Sequence, residues 1–326
     1  MKLSVIICTH NPDYVNLSRA ISSVYNQLNH QIELDCMVVD NASNEDVSIE
    51  KLNISDDTLR VIKEDKLGLT YARICGINNS CGDYLLFLDD DNELDRFYVS
   101  RIVDISVKYP QLGCFGAGII SPVYEKEPEH VLCPYIGSLA IRDEKKSVIS
   151  DDFHDSYYPY GAGLVVRRDV ALAYVVDVQN SDLKLSLDRK GGSLNSCGDD
   201  HFSWIAIRLG CFKGVFTELS LKHYIPANRV QKKYLLKMAE SYGYSRSLLF
   251  YVNGFDFPGL KEIKENERLS EGVSRLHMII YKIKSSVLKL ISKNTTSIED
   301  EFKSARSKGV LRFYRQVYLK SRLYSN

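Results

Sequence analysis

The chain has 326 residues, of which 44% are hydrophobic, so it can build one large α/β domain or two smaller domains with well-packed cores. Its 42 basic side chains balance 42 acidic ones, but residues 271–326 hold 12 basic and 4 acidic side chains, which leaves an acidic body and a basic tail. The tail predicts contact with an anionic surface. Because no nucleic-acid-binding motif accompanies it, we expect a membrane and exclude nucleic acid as a partner.

The cysteines and the first residues of the chain indicate its compartment. None of the eight cysteines has Cys-x-x-Cys spacing, so neither a zinc site nor a disulfide framework is indicated, and we expect reduced core cysteines. The first apolar stretch, residues 3–8, is too short for the hydrophobic region of a signal peptide. No uncharged apolar run approaches the length of a membrane span. We therefore expect a cytoplasmic protein that can lie peripherally on the inner face of the cell membrane.

Predicted strands and helices alternate over the first eighty residues. Buried strands are predicted at residues 3–8, 34–39 and 59–62, with helical spacing at residues 15–28 and 71–79. This alternation predicts an α/β fold with a mostly parallel sheet flanked by helices. No Gly-x-Gly-x-x-Gly follows the first strand and no Walker A sequence occurs, which argues against a dinucleotide cofactor and against a P-loop NTPase.

A fully apolar strand is predicted at residues 84–88, and it runs directly into Asp89, Asp90 and Asp91. In open α/β sheets the ligand crevice lies outside the carboxyl ends of the strands, so these acids are well placed to hold a divalent cation. Carboxylate oxygens suit Mg²⁺ or Mn²⁺, which commonly share their ligands with phosphates. The alternative is a solvated acidic turn that only ends the strand.

Further along the chain, a helix at residues 97–109 and a glycine-rich strand at 112–124 precede Gly161-Ala162-Gly163 and a strand at 164–166. The glycines beside aromatics fit a sugar-binding rim or a closely packed strand entry. Asp199 and Asp200 then open an amphipathic helix. A role in capping the helix explains one of these two acids, and the other is then available for a catalytic role.

After a predicted strand at residues 213–217, His223 stands in the segment 221–229. A lone histidine is more often a structural hydrogen-bonding residue than a metal ligand. The strand pattern ends near residue 230, which predicts a catalytic domain at 1–230 and a helical, basic extension at 231–326. In this extension, apolar residues at helical spacing across 276–291 alternate with lysines. Such a helix either lies in a membrane interface or packs on the protein itself.

Six ordered motifs within roughly residues 1–230 together resemble the family 2 glycosyltransferases, which have a GT-A fold. The motifs are residues 5–11, 38–43 and 68–73, the acids 89–91, Gly161-Ala162-Gly163, and Gly198-Asp199-Asp200. In addition, His223 with Ile225-Pro226 and Arg229 resembles a segment of bacterial polysaccharide-forming members.

The resemblance implies a role for each matching residue. Nucleotide-sugar binding is implied for Thr9, Asn11, Asp40, Gly68, Arg73, Asp89 and Asp90. Asp91 would hold the Mg²⁺ or Mn²⁺ ion, with His223 as a further contact to the metal or phosphate. Asp200 resembles the general base that deprotonates the acceptor hydroxyl. The family commonly has Glu-Asp at this pair, so Asp199 is the alternative base.

Two places in the following helix depart from the family pattern, because the acid and the arginine often found there are Phe202 and Ala206 here, with Arg208 shifted. The expected activity is that of an inverting, metal-dependent glycosyltransferase. It would move a sugar from a nucleotide-sugar, in first place a UDP-sugar, to a hydroxyl of a glycan or lipid-linked acceptor during bacterial surface polysaccharide synthesis. A sugar nucleotidyltransferase and a non-catalytic nucleotide-sugar-binding protein are the alternative functions. An oligomer is compatible with all three functions.

Overall fold

A computed structural model describes residues 1–27, 32–52, 54, 58–265 and 297–323. The chain divides into two compact units, Met1–Leu235 and Leu236–Asn326. None of the helices in the described part has the length and apolar character that a membrane crossing requires. The predicted amphipathic segment 276–291 lies outside the described residues.

The first unit contains one ten-stranded sheet. Its strands are β1 (Lys2–Thr9), β2 (Glu33–Asn41), β3 (Arg60–Glu64), β4 (Tyr84–Asp89), β5 (Asn92–Leu94), β6 (Leu112–Tyr124), β7 (Arg142–Asp143), β8 (Val148–Ser150), β9 (Leu164–Arg167) and β10 (Phe212–Ile225). The helices that begin in this unit are α1 (Tyr14–Tyr25), α2 (Leu69–Asn78), α3 (Tyr98–Lys108), α4 (Arg168–Gln179), α5 (Asp182–Leu185), α6 (Gly198–Arg208) and α7 (Lys232–Val252). Two 3₁₀ segments, Glu50–Leu52 and His130–Leu139, complete it.

The strand order is β3-β2-β1-β4-β9-β6-β10-β5, with β7 paired to β6 and β8 to β10. The first four strands are parallel to one another, and β6 and β10 form a second parallel pair. Strand β9 joins the two groups by running antiparallel to both β4 and β6. The sheet is thus parallel along most of its paired length and carries helices on both faces, which confirms the predicted fold class.

Two hydrophobic clusters pack on opposite faces of this sheet. Val5 and Ile7 of β1 belong to the cluster that includes residues of α1 and α3, while Ile6 belongs to the cluster of α2, α4 and α6. This alternation is the one expected of a central strand whose successive side chains point to opposite faces. The register places Thr9 opposite Asp40 and Cys8 opposite Asp89, so the polar residues that end three strands meet at one edge.

Strand β10 is longer than the predicted strand at 213–217, because it continues to Ile225 and carries His223. Its pairing with β6 shifts register between Phe216 and Ser220. An irregularity of this kind breaks the period-two pattern, so the sequence pattern ends at the bulge although the strand does not. His223 therefore lies on a strand and not in a loop.

In the second unit, α7 packs closely against α8 (Ile298–Phe313), which continues through a π-helical stretch, Tyr314–Tyr318, into α9 (Leu319–Leu323). A Cβ atom at Gly309 would overlap the backbone oxygen of Glu240, and one at Gly243 would overlap that of Arg306. Arg312 also donates to Glu240 at 2.9 Å. The two helices therefore approach at glycines, where no side chain separates their backbones.

Candidate active site

The loops after β1, β2 and β3 are joined by side-chain hydrogen bonds. The backbone N–H of Asn11 donates to Ser43 Oγ at 2.9 Å, and Asn11 Oδ1 accepts from Asn44 N at 2.8 Å. Asn41 Oδ1 accepts from the backbone N–H of Gly68 at 2.8 Å. The predicted site residues Asn11 and Gly68 thus belong to one connected edge. Asn41, which binds Gly68 and was not predicted as a site residue, is 4% exposed.

Asp40 lies at this edge as predicted. Its carboxylate is hydrogen-bonded to the loop that follows its own strand, β2. Its two oxygens accept from the backbone N–H groups of Val47 at 3.0 Å and Ser43 at 3.3 Å. The backbone φ angles are 52° at Asn11 and 53° at Ala42, in the left-handed region that is unfavourable for alanine. Strained backbone of this kind persists where surrounding contacts hold it, and it is common at ligand-binding sites.

The acidic cluster follows directly from β4. Asp89 is the last residue of that strand, and the Thr9 hydroxyl donates to the carboxylate of Asp90. Burial, together with the charge of Asp91, raises the pKa of Asp90 to about 7. Burial and the same charge also raise the pKa of Asp89. Thr9, Asp89 and Asp90, all predicted site residues, are therefore brought together.

Asp91 differs from its two neighbours because cationic groups surround it. Its Oδ2 lies 3.4 Å from His223 Nε2 and accepts from Arg229 Nη1 at 2.9 Å. Burial opposes ionisation here, but the hydrogen bond from His223 and the charges of His223 and Arg229 hold the pKa of Asp91 below its ordinary value. The structure brings the predicted pair Asp91 and His223 together and adds Arg229 to them.

These groups fit a hard divalent cation that obtains further ligands from a bound phosphate. The lowered pKa of Asp91 favours the ionised carboxylate that metal ligation requires. His223 Nδ1 and Asn92 Oδ1 are both buried polar atoms without a hydrogen-bond partner. Within the described ranges, no three side chains of His, Cys, Asp or Glu form a complete protein site for a metal. Magnesium sites built on one or two protein groups plus substrate phosphates have this character.

The acid pair Asp199 and Asp200 lies in the first turn of α6. The expectation that one of them caps the helix is wrong, because the N-cap residue is Cys197 and its side chain makes no capping hydrogen bond. Asp199 Oδ2 instead accepts from the backbone N–H of Gly161 at 2.8 Å. Burial and the charge of Asp200 raise the pKa of Asp199 to about 7. One predicted acid therefore fixes the predicted glycine-rich segment to α6.

Arg73 has a different environment from the one expected of a phosphate-binding arginine. It is 4% exposed and forms a buried ion pair with Asp188, which is 5% exposed. A Cβ atom at Gly198 would overlap the carboxylate of Asp188, so this close approach requires the glycine. Burial raises the pKa of both Asp89 and Asp199, and the charge of Arg73 opposes that rise at both. Arg73 is thus close enough to both acid groups for its charge to act on each.

Comparison with known proteins assigns most of the first unit to a family. The model of the Glycosyl transferase family 2 matches residues 4–165, which include the joined strand-end loops, the acidic cluster and the Gly161 segment. Residues 4–165 are a family 2 glycosyltransferase domain.

Three curated relatives of this family 2 domain have informative names. A glucosyl-dolichyl phosphate glucuronosyltransferase of Haloferax volcanii is 24% identical over 53% of this chain and 54% of its own. Glycosyltransferase GlyA of Streptococcus pneumoniae serotype 4 is 30% identical over 33% of this chain and 15% of its own. An inactive polypeptide N-acetylgalactosaminyltransferase-like protein 5 of Macaca fascicularis is 32% identical over 33% of this chain and 26% of its own. The chain therefore spans about half of one relative and about a quarter or less of the others.

Among solved structures, TarS residues 1–349 of S. aureus matches with 14% identity and a TM-score of 0.45. The match covers 97% of this chain and 92% of that one.

A buried lysine interacts with the acid pair at the start of α6. Lys213 of β10 has a fully buried side chain, with its Nζ 2.5 Å from Asp155 Oδ1 and 3.6 Å from the centre of the Tyr158 ring. Burial lowers the pKa of Lys213, while the hydrogen bond to Asp155 and the charges of Asp155 and Asp200 oppose this. Sequence reasoning missed Lys213, because a lysine in a strand is ordinarily taken as solvent-facing.

Proposed function

We propose that this chain is an active glycosyltransferase that moves a sugar from a nucleotide-sugar to an acceptor hydroxyl, with inversion at the anomeric carbon. The observation that carries the proposal is the position of Arg73, whose charge acts on Asp89 of the acidic cluster and on Asp199 of α6. The charge of one buried cation therefore acts on both the proposed donor-side acid group and the proposed acceptor-side acid group. An inverting transfer needs two such groups, one at the leaving diphosphate and one at the attacking hydroxyl.

On the donor side, Asp91 and His223 would hold Mg²⁺ or Mn²⁺, which when bound would act as a Lewis acid on the leaving diphosphate. Arg229 keeps Asp91 ionised and brings a positive charge to the same place. The loops with Asn11, Asp40 and Gly68 would form the wall against the nucleoside. We take a UDP-sugar as the first donor to test.

On the acceptor side, Asp200 is assigned as the general base. It would take the proton of the acceptor hydroxyl while that oxygen bonds to the anomeric carbon and the bond from this carbon to the diphosphate oxygen breaks. Asp199 suits the role less, because its Oδ2 already accepts from the backbone N–H of Gly161. Lys213 adds a positive charge near Asp200, which favours the ionised form that a base requires.

The acceptor is proposed to be a glycan or a lipid-linked sugar of a bacterial surface polysaccharide, used at the inner face of the membrane. The name of the Haloferax relative, a glucosyl-dolichyl phosphate glucuronosyltransferase, supports a lipid-linked acceptor. The name of the pneumococcal relative supports glycosyl transfer in bacteria.

The test is to incubate the protein with UDP-, GDP- and dTDP-sugars and Mn²⁺ and to measure release of the nucleoside diphosphate by slow hydrolysis. Release from one donor class, lost in Asp91→Ala, supports the proposal.

The name of the macaque relative motivates a second candidate, a non-catalytic nucleotide-sugar-binding protein. Donor binding by calorimetry without release in any condition would favour that candidate. Pyrophosphate release from a nucleoside triphosphate and a sugar phosphate would favour a nucleotidyltransferase.

A further inference from the structure

The loop 187–192 is fastened to the start of α2. The backbone N–H of Leu69 donates to the carbonyl oxygen of Arg189 at 2.9 Å. One carboxylate oxygen of Asp188 accepts from the backbone N–H of Arg189 at 3.1 Å, and the other pairs with Arg73. The backbone at Arg189 is therefore held on both sides by contacts that reach α2.

Lys190 lies over the turn that precedes the same helix. A Cβ atom at Gly68 would be 3.5 Å from Lys190 Cγ, which is ordinary van der Waals contact. The ammonium of Lys190 is 5.5 Å from the centre of the Tyr71 ring. Gly68 is itself bonded to Asn41 of the adjoining strand-end loop, so Lys190 stands at the edge where the predicted nucleotide-sugar residues meet.

Arg189 is exposed, and its guanidinium has no ion-pair partner among the residues that the structure describes. Its backbone is fixed beside the start of α2, where Gly68 bonds to Asn41 at the edge of the predicted nucleotide-sugar residues. Arg73, by contrast, is buried and already paired with Asp188. Of the two arginines, Arg189 is therefore the one whose guanidinium is not already ion-paired with a described residue.

We propose that Arg189 and Lys190, and not Arg73, bind the diphosphate of the nucleotide-sugar. This inference rests on the proposed function. Arginine presents several N–H donors in a fixed plane that matches phosphate oxygens, and lysine adds a mobile point charge. Arg73 then has a positioning role, because its pair with Asp188 holds the loop that presents the two cations. The diphosphate would lie between this loop and the Asp91 side of the crevice.

The inference is tested by calorimetric titration of the full-length protein, in the presence of Mn²⁺, with UDP, GDP and dTDP, and with the nucleoside of the one that binds. The variants are Arg189→Gln, Lys190→Gln and the double variant. The control is Arg60→Gln, which removes an exposed arginine of β3 that pairs with Asp35. We expect nucleoside diphosphate affinity to fall about tenfold or more in the double variant, as loss of charged hydrogen bonds implies. Nucleoside affinity should stay within about twofold, and the control should match the wild type.

The dependence of affinity on salt gives a second readout. Binding of the diphosphate to the wild type should weaken as ionic strength rises, and this dependence should be smaller in the double variant. If the wild type binds a nucleoside diphosphate and the double variant binds it equally well, this inference fails while the proposed function stands. Equal losses for the nucleoside and the diphosphate would also overturn it. If the wild type binds none of the three diphosphates, both the proposed function and this inference fail.

Discussion

The carboxylate of Asp199 accepts the backbone N–H of Gly161 at 2.8 Å, although 38 residues separate the two in sequence. This bond ties the glycine-rich segment before β9 to the first turn of α6. A Cβ atom at Gly161 would lie 2.8 Å from Arg73 Nη2, so the segment also fits closely against the buried arginine. Asp199 thereby has a structural partner that defines its orientation.

The first prediction concerns the division of roles between Asp199 and Asp200. Asp200→Asn keeps the shape of the side chain and removes its basicity, so sugar transfer or donor hydrolysis should fall by about two to four orders of magnitude. Donor affinity, measured by calorimetry, should be retained because the residue is assigned to the acceptor and not to the donor. The matched variant is Asp199→Asn, whose amide oxygen can still accept from Gly161. Near-normal turnover in Asp200→Asn with collapse in Asp199→Asn would move the base to Asp199.

The second prediction uses the raised pKa of Asp199, which burial and the charge of Asp200 bring to about 7. In the unfolded chain the carboxyl titrates near its ordinary value of 3.8. Between these values the folded state keeps a proton that the unfolded state has released. The free energy of unfolding therefore falls as the pH rises from about 4 to about 7 and levels off above that.

Asp199→Asn cannot titrate, so its unfolding free energy should depend less steeply on pH than that of the wild type. Urea unfolding of both proteins at about pH 4.5, 6 and 8 measures the difference directly. Asp90 also titrates in this range, but it is present in both proteins. Its contribution to the pH dependence therefore cancels when the two proteins are compared. Parallel pH curves for the two proteins would contradict the raised pKa of Asp199.

Sequence patterns predicted that the polar residues at the strand ends meet. Parallel strands bring their carboxyl ends to one edge of the sheet whatever the details of packing. Thr9, Asp40 and Asp89 meet there for that reason. The pairing of Arg73 with Asp188 could not be predicted in the same way, because 115 residues separate the partners and no local periodicity marks them. The strand position of His223 was hidden by the register shift in β10.

The third prediction concerns the buried ion pair of Lys213 and Asp155. Lys213→Met leaves a partly buried carboxylate without its cation, and breaking such a pair destabilises a protein by about 3 kcal/mol. Urea unfolding should show this loss, and adding Asp155→Asn should restore part of it. The control, Lys145→Met, removes an exposed lysine and should change stability by less than about 0.5 kcal/mol.

Activity gives a readout of Lys213 that stability does not. Without the nearby cation, the proton of Asp200 should be released at higher pH, so the acidic limb of the pH profile for transfer should move upward. An unchanged profile in Lys213→Met would show that the lysine serves only to hold the segment with Asp155.

The fourth prediction concerns the helix contact of the second unit. Gly309→Ala places a methyl group against the backbone oxygen of Glu240, and overpacking of this kind costs about 1 to 3 kcal/mol. Thermal or urea unfolding should detect the loss, with Gly137→Ala as the control because nothing lies within 4 Å of a Cβ atom there. Equal stability of Gly309→Ala and the wild type would mean that the two helices separate readily.

This contact also affects how membrane binding should be tested. Deleting residues 271–326 would remove α8 and expose the aromatic side chains that pack within the second unit, among them Phe257, which lies 5.0 Å from Phe313 between ring centres. Loss of vesicle binding after such a deletion could then arise from unfolding. Substitutions in the full-length chain avoid this problem.

The last prediction is that the full-length protein binds anionic vesicles through the basic segment predicted at residues 276–291. Each lysine near an anionic surface contributes on the order of 1 kcal/mol, so replacing four should abolish binding that sedimentation detects at low salt. The four are changed to Gln: Lys282, Lys284 and Lys289 in this segment, and Lys293 just after it. The control changes four lysines of the first unit: Lys108, Lys126, Lys145 and Lys146. High salt should weaken wild-type binding. Equal binding by the tail variant and the control would assign the segment to packing or oligomerisation.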